Sequence, residues 1–398
     1  MGNKQIIVKF LRQLHFFLLI LITFSINAQS IKEQLYEEAL RAYNNREYLI
    51  AESKMRELIE MERSVDNYFL QSSILEALDK KSAAISALTK LLAIDDTYLE
   101  AVFKRGQLFY EQGVYKQAID DFTQIIEWPE TPTKAIFFRI DTEGDGQVKV
   151  GSLETMKAQV YSLRGMAHQA MGDMDQAKVD LDQALRLAPD AEQYMNRGLL
   201  YFEMGDLSMA EQDLKRCVEM DNRSVRGWFN LLVVNPNTSI PDDVLQDVSF
   251  APLLVYRGVD ALNEDRLGEA RTLFYQALKV KLKDPLLLMN IGRLEDKEAN
   301  HDEAVRFFAA ALAIDPAQFD AYYLLGNTFY KKGEYLNAAE AYERYLAHDR
   351  SNGQIWYNAG ITYHNLEEFQ TSCLYLDNAI ERGMNLDRNS SLFDNCSN

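Results

Sequence analysis

The side chains best suited to catalysis are scattered along this 398-residue chain. Beyond residue 28 there are four histidines, and no two of them have the spacing of metal ligands: His168, His301, His348 and His364. No serine lies in a nucleophile elbow, and no glycine-rich phosphate loop follows a predicted strand. Because catalysis needs several titratable groups brought together, this distribution predicts a protein that is not an enzyme and uses no cofactor.

One acidic segment has part of a metal-ligand pattern. Three acids alternate before a glycine, as in the first half of a calcium-binding loop: Asp141, Glu143, Asp145 and Gly146. The second half departs from the pattern, because Ser152 stands where a bidentate glutamate is needed. Two β-like runs, 135–140 and 147–150, flank the segment. We interpret it as the solvated turn of a projecting hairpin, with a calcium-regulated module as the alternative.

The three cysteines are too few for a disulfide framework. Cys217 occupies a place where other parts of the chain have alanine, which predicts a small buried side chain. Cys373 and Cys396 are close enough in sequence for the tail to bring them together. Whether they are bridged depends on an oxidising compartment and is left open by the sequence.

A periodic set of glycines defines the elements that position any site. Seven glycines have matching contexts, and the last four are 34 residues apart: Gly106, Gly165, Gly198, Gly258, Gly292, Gly326 and Gly360. Each is followed twelve residues later by a small residue and four residues beyond that by a large one, as in Ala338 and Tyr342. This period predicts helical hairpins whose two helices approach closely at the glycine.

Further glycines and prolines mark the ends of these helices. Four glycines predict the left-handed residue that ends a first helix: Gly113, Gly172, Gly205 and Gly333. Pro189 and Pro316 predict the ends of two second helices.

Together these residues resemble the tetratricopeptide repeat. Residues 319–352 are the clearest copy, and the same register gives nine units that start at 32, 65, 99, 158, 191, 251, 285, 319 and 353. The resemblance implies an all-α, right-handed superhelical solenoid with a short β-hairpin-like insertion. It also implies a scaffold that binds proteins or peptides on the concave side, which the first helix of each hairpin lines.

Two interruptions of the period, 131–157 and 225–250, divide the predicted chain. We expect a joint between arrays at the second, which resembles half a repeat followed by a loop. The expected segments are a signal peptide 1–28, three repeats 32–130, a hairpin-like insertion 131–157, two repeats 158–224, a partial repeat 225–250, four repeats 251–386 and a tail 387–398.

Positions 7 and 23 of the repeats vary together, which predicts contacts inside each hairpin. Arginine goes with aspartate in three units: Arg105 with Asp121, Arg164 with Asp180, and Arg197 with Asp213. Glu38 with Lys54 is the reverse pair, and Arg257, which faces Leu273, has no acid. We interpret these arginines as framework; the alternative is a ladder that binds an acidic ligand.

Charge and the first 28 residues bear on location. The formal net charge of −18 makes nucleic acid and anionic lipid unfavourable partners. The N-terminus is basic and then apolar over residues 16–24, which is about half the length of a membrane span, and small residues precede Gln29. We expect cleavage near Ala28 and a periplasmic or extracellular protein that is not inserted in a membrane; retention as an anchor is the alternative.

Aromatic residues recur at positions 5 and 12 of the first helices, which the resemblance places in the groove. The predicted partner-binding residues are Phe103, Tyr110, Phe202, Tyr323, Asn327, Tyr330, Tyr357, Asn358 and His364. Tyr36, Tyr43 and Phe69 occupy equivalent positions. Rigid amphipathic rings of this kind suit peptide binding, whereas packing in the core is the alternative role.

The last two units raise two further alternatives. In some relatives, asparagines at the places of Asn327 and Asn358 hold a terminal carboxylate, but Tyr323 replaces the expected lysine. The final hairpin has no extra helix after it, so its edge is either uncapped and available for self-association or covered by Phe393. The sequence therefore predicts an exported interaction scaffold, with a self-associating subunit of an envelope complex as the alternative.

Overall fold

A computed structural model describes residues 29–128, 139–140, 149–150, 153–247, 249–281 and 283–396. These residues form 20 α-helices and one pair of two-residue strands. None of the helices in this part of the chain is both long enough and apolar enough to cross a membrane. Contacts divide the chain into two compact units, Met1–Asn222 and Arg223–Asn398.

The first unit consists of five helical hairpins. Its helices are α1 (29–44), α2 (Tyr48–Met61), α3 (Val65–Ala77), α4 (Lys81–Leu92), α5 (Leu99–Glu111), α6 (Tyr115–Ile126), α7 (Leu153–Ala170), α8 (Met174–Leu187), α9 (Ala191–Glu203) and α10 (Leu207–Met220). Each second helix packs on its own first helix, α2, α4, α6 and α8 also pack on the first helix of the next hairpin, and α5, α7 and α9 contact one another in turn.

The second unit begins with a shortened hairpin and continues with four complete ones. Its helices are α11 (Val225–Val234), α12 (Asp242–Leu245), α13 (Ala251–Asn263), α14 (Leu267–Val280), α15 (Pro285–Lys297), α16 (His301–Ile314), α17 (Phe319–Lys331), α18 (Tyr335–His348), α19 (Gly353–Asn365) and α20 (Phe369–Glu381). In α12 a single turn stands where other hairpins have a full second helix, and its Val244 is buried.

Every glycine at position 8 lies against the large residue at position 24 of its own hairpin. A Cβ added to Gly292 would be 2.5 Å from a ring carbon of Phe308, and one added to Gly326 would be 2.5 Å from the ring of Tyr342. These rings are almost fully buried, so they have no space into which to move. The predicted close approach of the two helices is confirmed.

The turn inside each of the nine complete hairpins has one left-handed residue, at position 15. Four of these residues are the predicted glycines, with φ between 73° and 82°. The other five units use residues with a Cβ in the same conformation: Arg46, Asp79, Asp265, Ala299 and Glu367. The backbone therefore repeats in all nine units, including those in which the sequence lacks the glycine.

The segment between α6 and α7 contains a short antiparallel strand pair, β1 (Arg139–Ile140) and β2 (Lys149–Val150). The pair lies within the two runs predicted to form a hairpin. The calcium candidates Asp141, Glu143 and Asp145 are outside the described residues, as is the expected cleavage site at Ala28.

The C-terminal tail folds back, so the expectation of an uncapped edge is wrong and the alternative of a Phe393 cap is confirmed. Phe393 is 8% exposed, in a short 3-10 turn at Ser391–Phe393. Cys396 is joined by a disulfide to Cys373 of α20. Arg388 pairs with Asp377 of the same helix at 2.6 Å. Apolar burial, a covalent link and an ion pair thus hold the tail against the last hairpin.

The left-handed position permits a matched stability test. Ala299→Gly should raise the free energy of unfolding by about 1 kcal/mol, because glycine adopts this conformation without a Cβ clash. Gly333→Ala should lower it by about the same amount, since no atom lies within 4 Å of the added Cβ and the cost is confined to the backbone. Urea denaturation followed by circular dichroism measures both, and shifts of the same sign would contradict the assignment.

Candidate protein-binding surface

In the first unit, four consecutive first helices form a cavity of about 520 Å³. Its wall is built by α1, α3, α5 and α7, with no contribution from a second helix. The aromatic residues that line it are Tyr36, Tyr43, Phe69 and Phe103. All four side chains are half-buried, so they stand at the surface of the helices and are not sealed in the core. We name this cavity the N-terminal groove.

The charged side chains that line the N-terminal groove are three acids and one base: Asp66, Glu76 and Glu100, with Lys104. Burial, and then the carboxylate of Asp66, raise the pKa of the Tyr36 hydroxyl. Lys104 of α5 extends to the neighbouring helix α3, where its ammonium lies 2.8 Å from a carboxylate oxygen of Glu76. The groove thus combines aromatic surface with negative charge.

Two predicted residues of this unit lie outside the cavity. Tyr110 is half-buried, and its ring centroid lies 5.6 Å from that of Tyr115 across the hairpin turn, with the two rings tilted by 59°. Phe202 is 40% exposed on α9. Tyr110 therefore contributes to packing at the turn, while the side chain of Phe202 is exposed at the surface of α9.

Several residues that line the cavity were not among the predicted partner-binding residues. Asp66, Ser73 and Gln107 occupy positions 2 and 9, which the repeat rule already assigns to the groove, so that rule could have found them. Lys104 and Met156 carry no such signal. Met156 enters because α7 begins at Leu153, five residues before the unit predicted to start at 158.

In the second unit, the predicted residues are brought together along α17 and α19 by hydrogen bonds. Asn327 Oδ1 accepts from Tyr342 Oη at 2.8 Å and from Asn358 Nδ2 at 3.1 Å. Asn358 Oδ1 accepts from Gln354 Nε2 at 2.8 Å. The two asparagines are therefore neighbours, as a carboxylate clamp requires, but they bond to each other. The clamp stays a prediction.

The aromatic members of this surface contact neighbours on both first and second helices. The ring of Tyr323 lies 6.3 Å from that of Tyr345, and Tyr330 accepts a hydrogen bond from Asn365 Nδ2 at 3.1 Å. Tyr357 is half-buried on α19. His364 Nδ1 is buried without a hydrogen-bond partner in the described part of the chain, and its ring lies 5.4 Å from that of Phe369.

The recurring arginines belong to the framework. Arg105, Arg164 and Arg197 each make two hydrogen bonds to the predicted aspartate of the same hairpin, with lengths between 2.6 and 2.9 Å. The reversed pair, Glu38 with Lys54, has a 2.6 Å contact. Arg257 donates to the carbonyl oxygen of Leu245 at 2.6 Å, which explains why it needs no acid. These contacts support the framework role of the arginines, and a ladder that binds an acidic ligand stays an untested alternative.

Models of the tetratricopeptide repeat match several separate parts of the chain: residues 100–127, 158–190, 191–224, 300–333 and 323–385. Two of these matches start at 158 and 191, where the glycine spacing also begins units. The chain is a tetratricopeptide-repeat protein. Repeats of this family imply a scaffold for protein–protein interaction, with proteins or peptides as partners.

Two known proteins are similar in sequence to parts of this tetratricopeptide-repeat chain. Small glutamine-rich tetratricopeptide repeat-containing protein 2 of Mycosarcoma maydis is 28% identical over 27% of this chain and 30% of its own. Protein O-mannosyl-transferase TMTC3 of Mus musculus is 35% identical over 18% of this chain and 8% of its own. The chain therefore spans less than a third of either relative.

Solved structures are similar over more of the chain but at low identity. One chain of the crystal structure of the APC/C hetero-tetramer Cut9–Hcn1 matches 91% of this chain over 95% of its own length, with a TM-score of 0.43 and 11% identity. The tetratricopeptide-repeat domain of P58(IPK) covers 85% of this chain and 99% of its own, with a TM-score of 0.36 and 16% identity.

The framework role of the arginines predicts unequal losses of stability. Asp121→Ala should lower the free energy of unfolding by about 3 kcal/mol, because Arg105 is left in a partly buried site without a carboxylate. Asp213→Ala should cost about half as much, because Arg197 keeps its 2.7 Å contact with Asp182. Thermal and urea unfolding of the two variants provide the comparison; equal losses would contradict it.

Proposed function

We propose that this protein is a non-enzymatic scaffold, exported to the cell envelope, that binds extended segments of partner proteins along its first helices. The observation that carries the proposal is the N-terminal groove, in which aromatic rings from consecutive repeats stand half-buried along one surface. Rigid rings offer contact area at a low entropic cost, so they are effective contacts for a peptide chain.

Two features support export. The first 28 residues have the basic, apolar and small-residue order of a secretory leader. The disulfide between Cys373 and Cys396 fastens the C-terminal cap, and such bonds persist in oxidising compartments. A self-associating subunit is the weaker alternative, because the edge proposed for its contacts is covered by the tail.

Photocrosslinking in cells of the natural host tests the groove. The full-length chain receives benzoyl-phenylalanine at Phe103 or Tyr330 on the first helices. Matched controls carry it at Leu49 or Leu336, which are 69% and 70% exposed on second helices. We expect partner adducts at the first two positions only. Equal adducts from all four, or adducts formed only between copies of this chain, would overturn the groove and favour the self-associating subunit.

Thiol trapping with fractionation tests export. In the envelope fraction, the chain should begin at Gln29, and Cys373 and Cys396 should react with a maleimide only after reduction. The buried thiol of Cys217 should react after unfolding without reduction, which makes it an internal control. A chain that retains Met1 in the cytoplasmic fraction, with all three thiols reduced, would show that the export proposal is wrong.

A further inference from the structure

We propose that the N-terminal groove selects a cationic partner: an extended protein segment in which lysine or arginine alternates with apolar or aromatic residues. This inference rests on the proposed function and names the chemistry of the partner. It is carried by three properties of the groove, which are its aromatic lining, its charge and the way in which it already holds an ammonium group.

The groove presents carboxylates from two neighbouring first helices. Asp66 is in the first turn of α3 and Glu100 in the first turn of α5, so equivalent positions of neighbouring repeats both carry an acid. Both line the cavity with Tyr36 and Phe103. An incoming cation would therefore meet negative charge beside aromatic surface, whereas an acidic segment would meet repulsion.

The chain's own lysine shows how an ammonium is held there. Lys104 Nζ lies 2.8 Å from Glu76 and donates to Ser73 Oγ at 2.9 Å. The same nitrogen lies over the ring of Phe69, 5.5 Å from its centroid. A carboxylate, a hydroxyl and a ring face thus surround one cation, which is the set of contacts expected for a lysine of a bound segment.

The internal lysine also limits what enters. Its ammonium already contacts the carboxylate of Glu76 and the ring face of Phe69. A cation of the partner is therefore directed toward Asp66 and the rings beside it. Lys104 and the partner's cation would repel each other within the cavity. Removal of the Lys104 charge should therefore strengthen cationic binding, whereas removal of the Asp66 charge should weaken it. These opposite effects distinguish charge selection from simple hydrophobic contact.

Fluorescence anisotropy with three short labelled peptides tests the proposal. All three peptides are blocked at both ends. Each repeats serine, phenylalanine and one variable residue, and the variable residue is lysine, glutamine or glutamate. With the chain beginning at Gln29, the lysine peptide should bind about tenfold more tightly than the glutamine peptide. The glutamate peptide should bind most weakly, and added salt should reduce the difference.

Single-residue variants assign the effect to the groove. Asp66→Asn should weaken the lysine peptide by about threefold, and Lys104→Gln should strengthen it by a similar factor. Neither change should alter the affinity of the glutamine peptide. Asp120→Asn, an exposed acid on the second helix α6, is the matched control and should change nothing. Phe103→Ala should weaken all three peptides, and thermal melting checks that every variant is folded.

The outcomes separate this inference from the proposed function. Equal binding of the lysine and glutamine peptides, with loss of both in Phe103→Ala, would overturn cation selection and leave a peptide groove. No peptide binding, with partner adducts still formed at Phe103 in cells, would also overturn the cationic segment alone. No peptide binding and no adducts would overturn both proposals.

Discussion

The architecture depends on one close contact, between a glycine in the first helix of a hairpin and the large side chain sixteen residues later. In seven hairpins the glycine leaves space that the ring or branched side chain fills, to within 2.5–3.1 Å of where a Cβ would stand. This contact sets how closely the two helices pack, and the packed hairpin then presents a surface to the next hairpin. Each hairpin buries its apolar face against its neighbours, so the two units are stabilised without a single central core.

The turn between the helices is the second constraint. A left-handed residue at position 15 reverses the chain in the nine complete hairpins, and five of these nine accept a Cβ there. Packing on both sides of the turn therefore outweighs the preference of a single residue. Ala299 and Gly333 are useful opposites, because the same backbone is strained at one and relaxed at the other.

The charged residues divide into two groups with different consequences. Arginines at position 7 pair with the aspartate of their own hairpin, which accounts for their recurrence as part of the framework. The acids of the N-terminal groove lie instead beside half-buried rings on the first helices. The polar framework thus fixes the hairpins, and the N-terminal groove, which we propose as a binding surface, is aromatic and negative. At the other end of the chain, the tail closes the last hairpin by burying Phe393 and by the disulfide to Cys373.

The amino-acid sequence was enough to predict the hairpins, their register and the ion pairs within them, because these depend on contacts at fixed spacings within one repeat. It could not locate the left-handed turn at Ala299 or Glu367, since neither residue type signals that conformation. The three-dimensional structure was needed to show that Lys104 and Met156 line the groove and that Asn327 bonds to Asn358. It also decided between an open edge and a folded tail. These features depend on how separate repeats and the tail come together, and no periodic spacing in the sequence encodes such contacts.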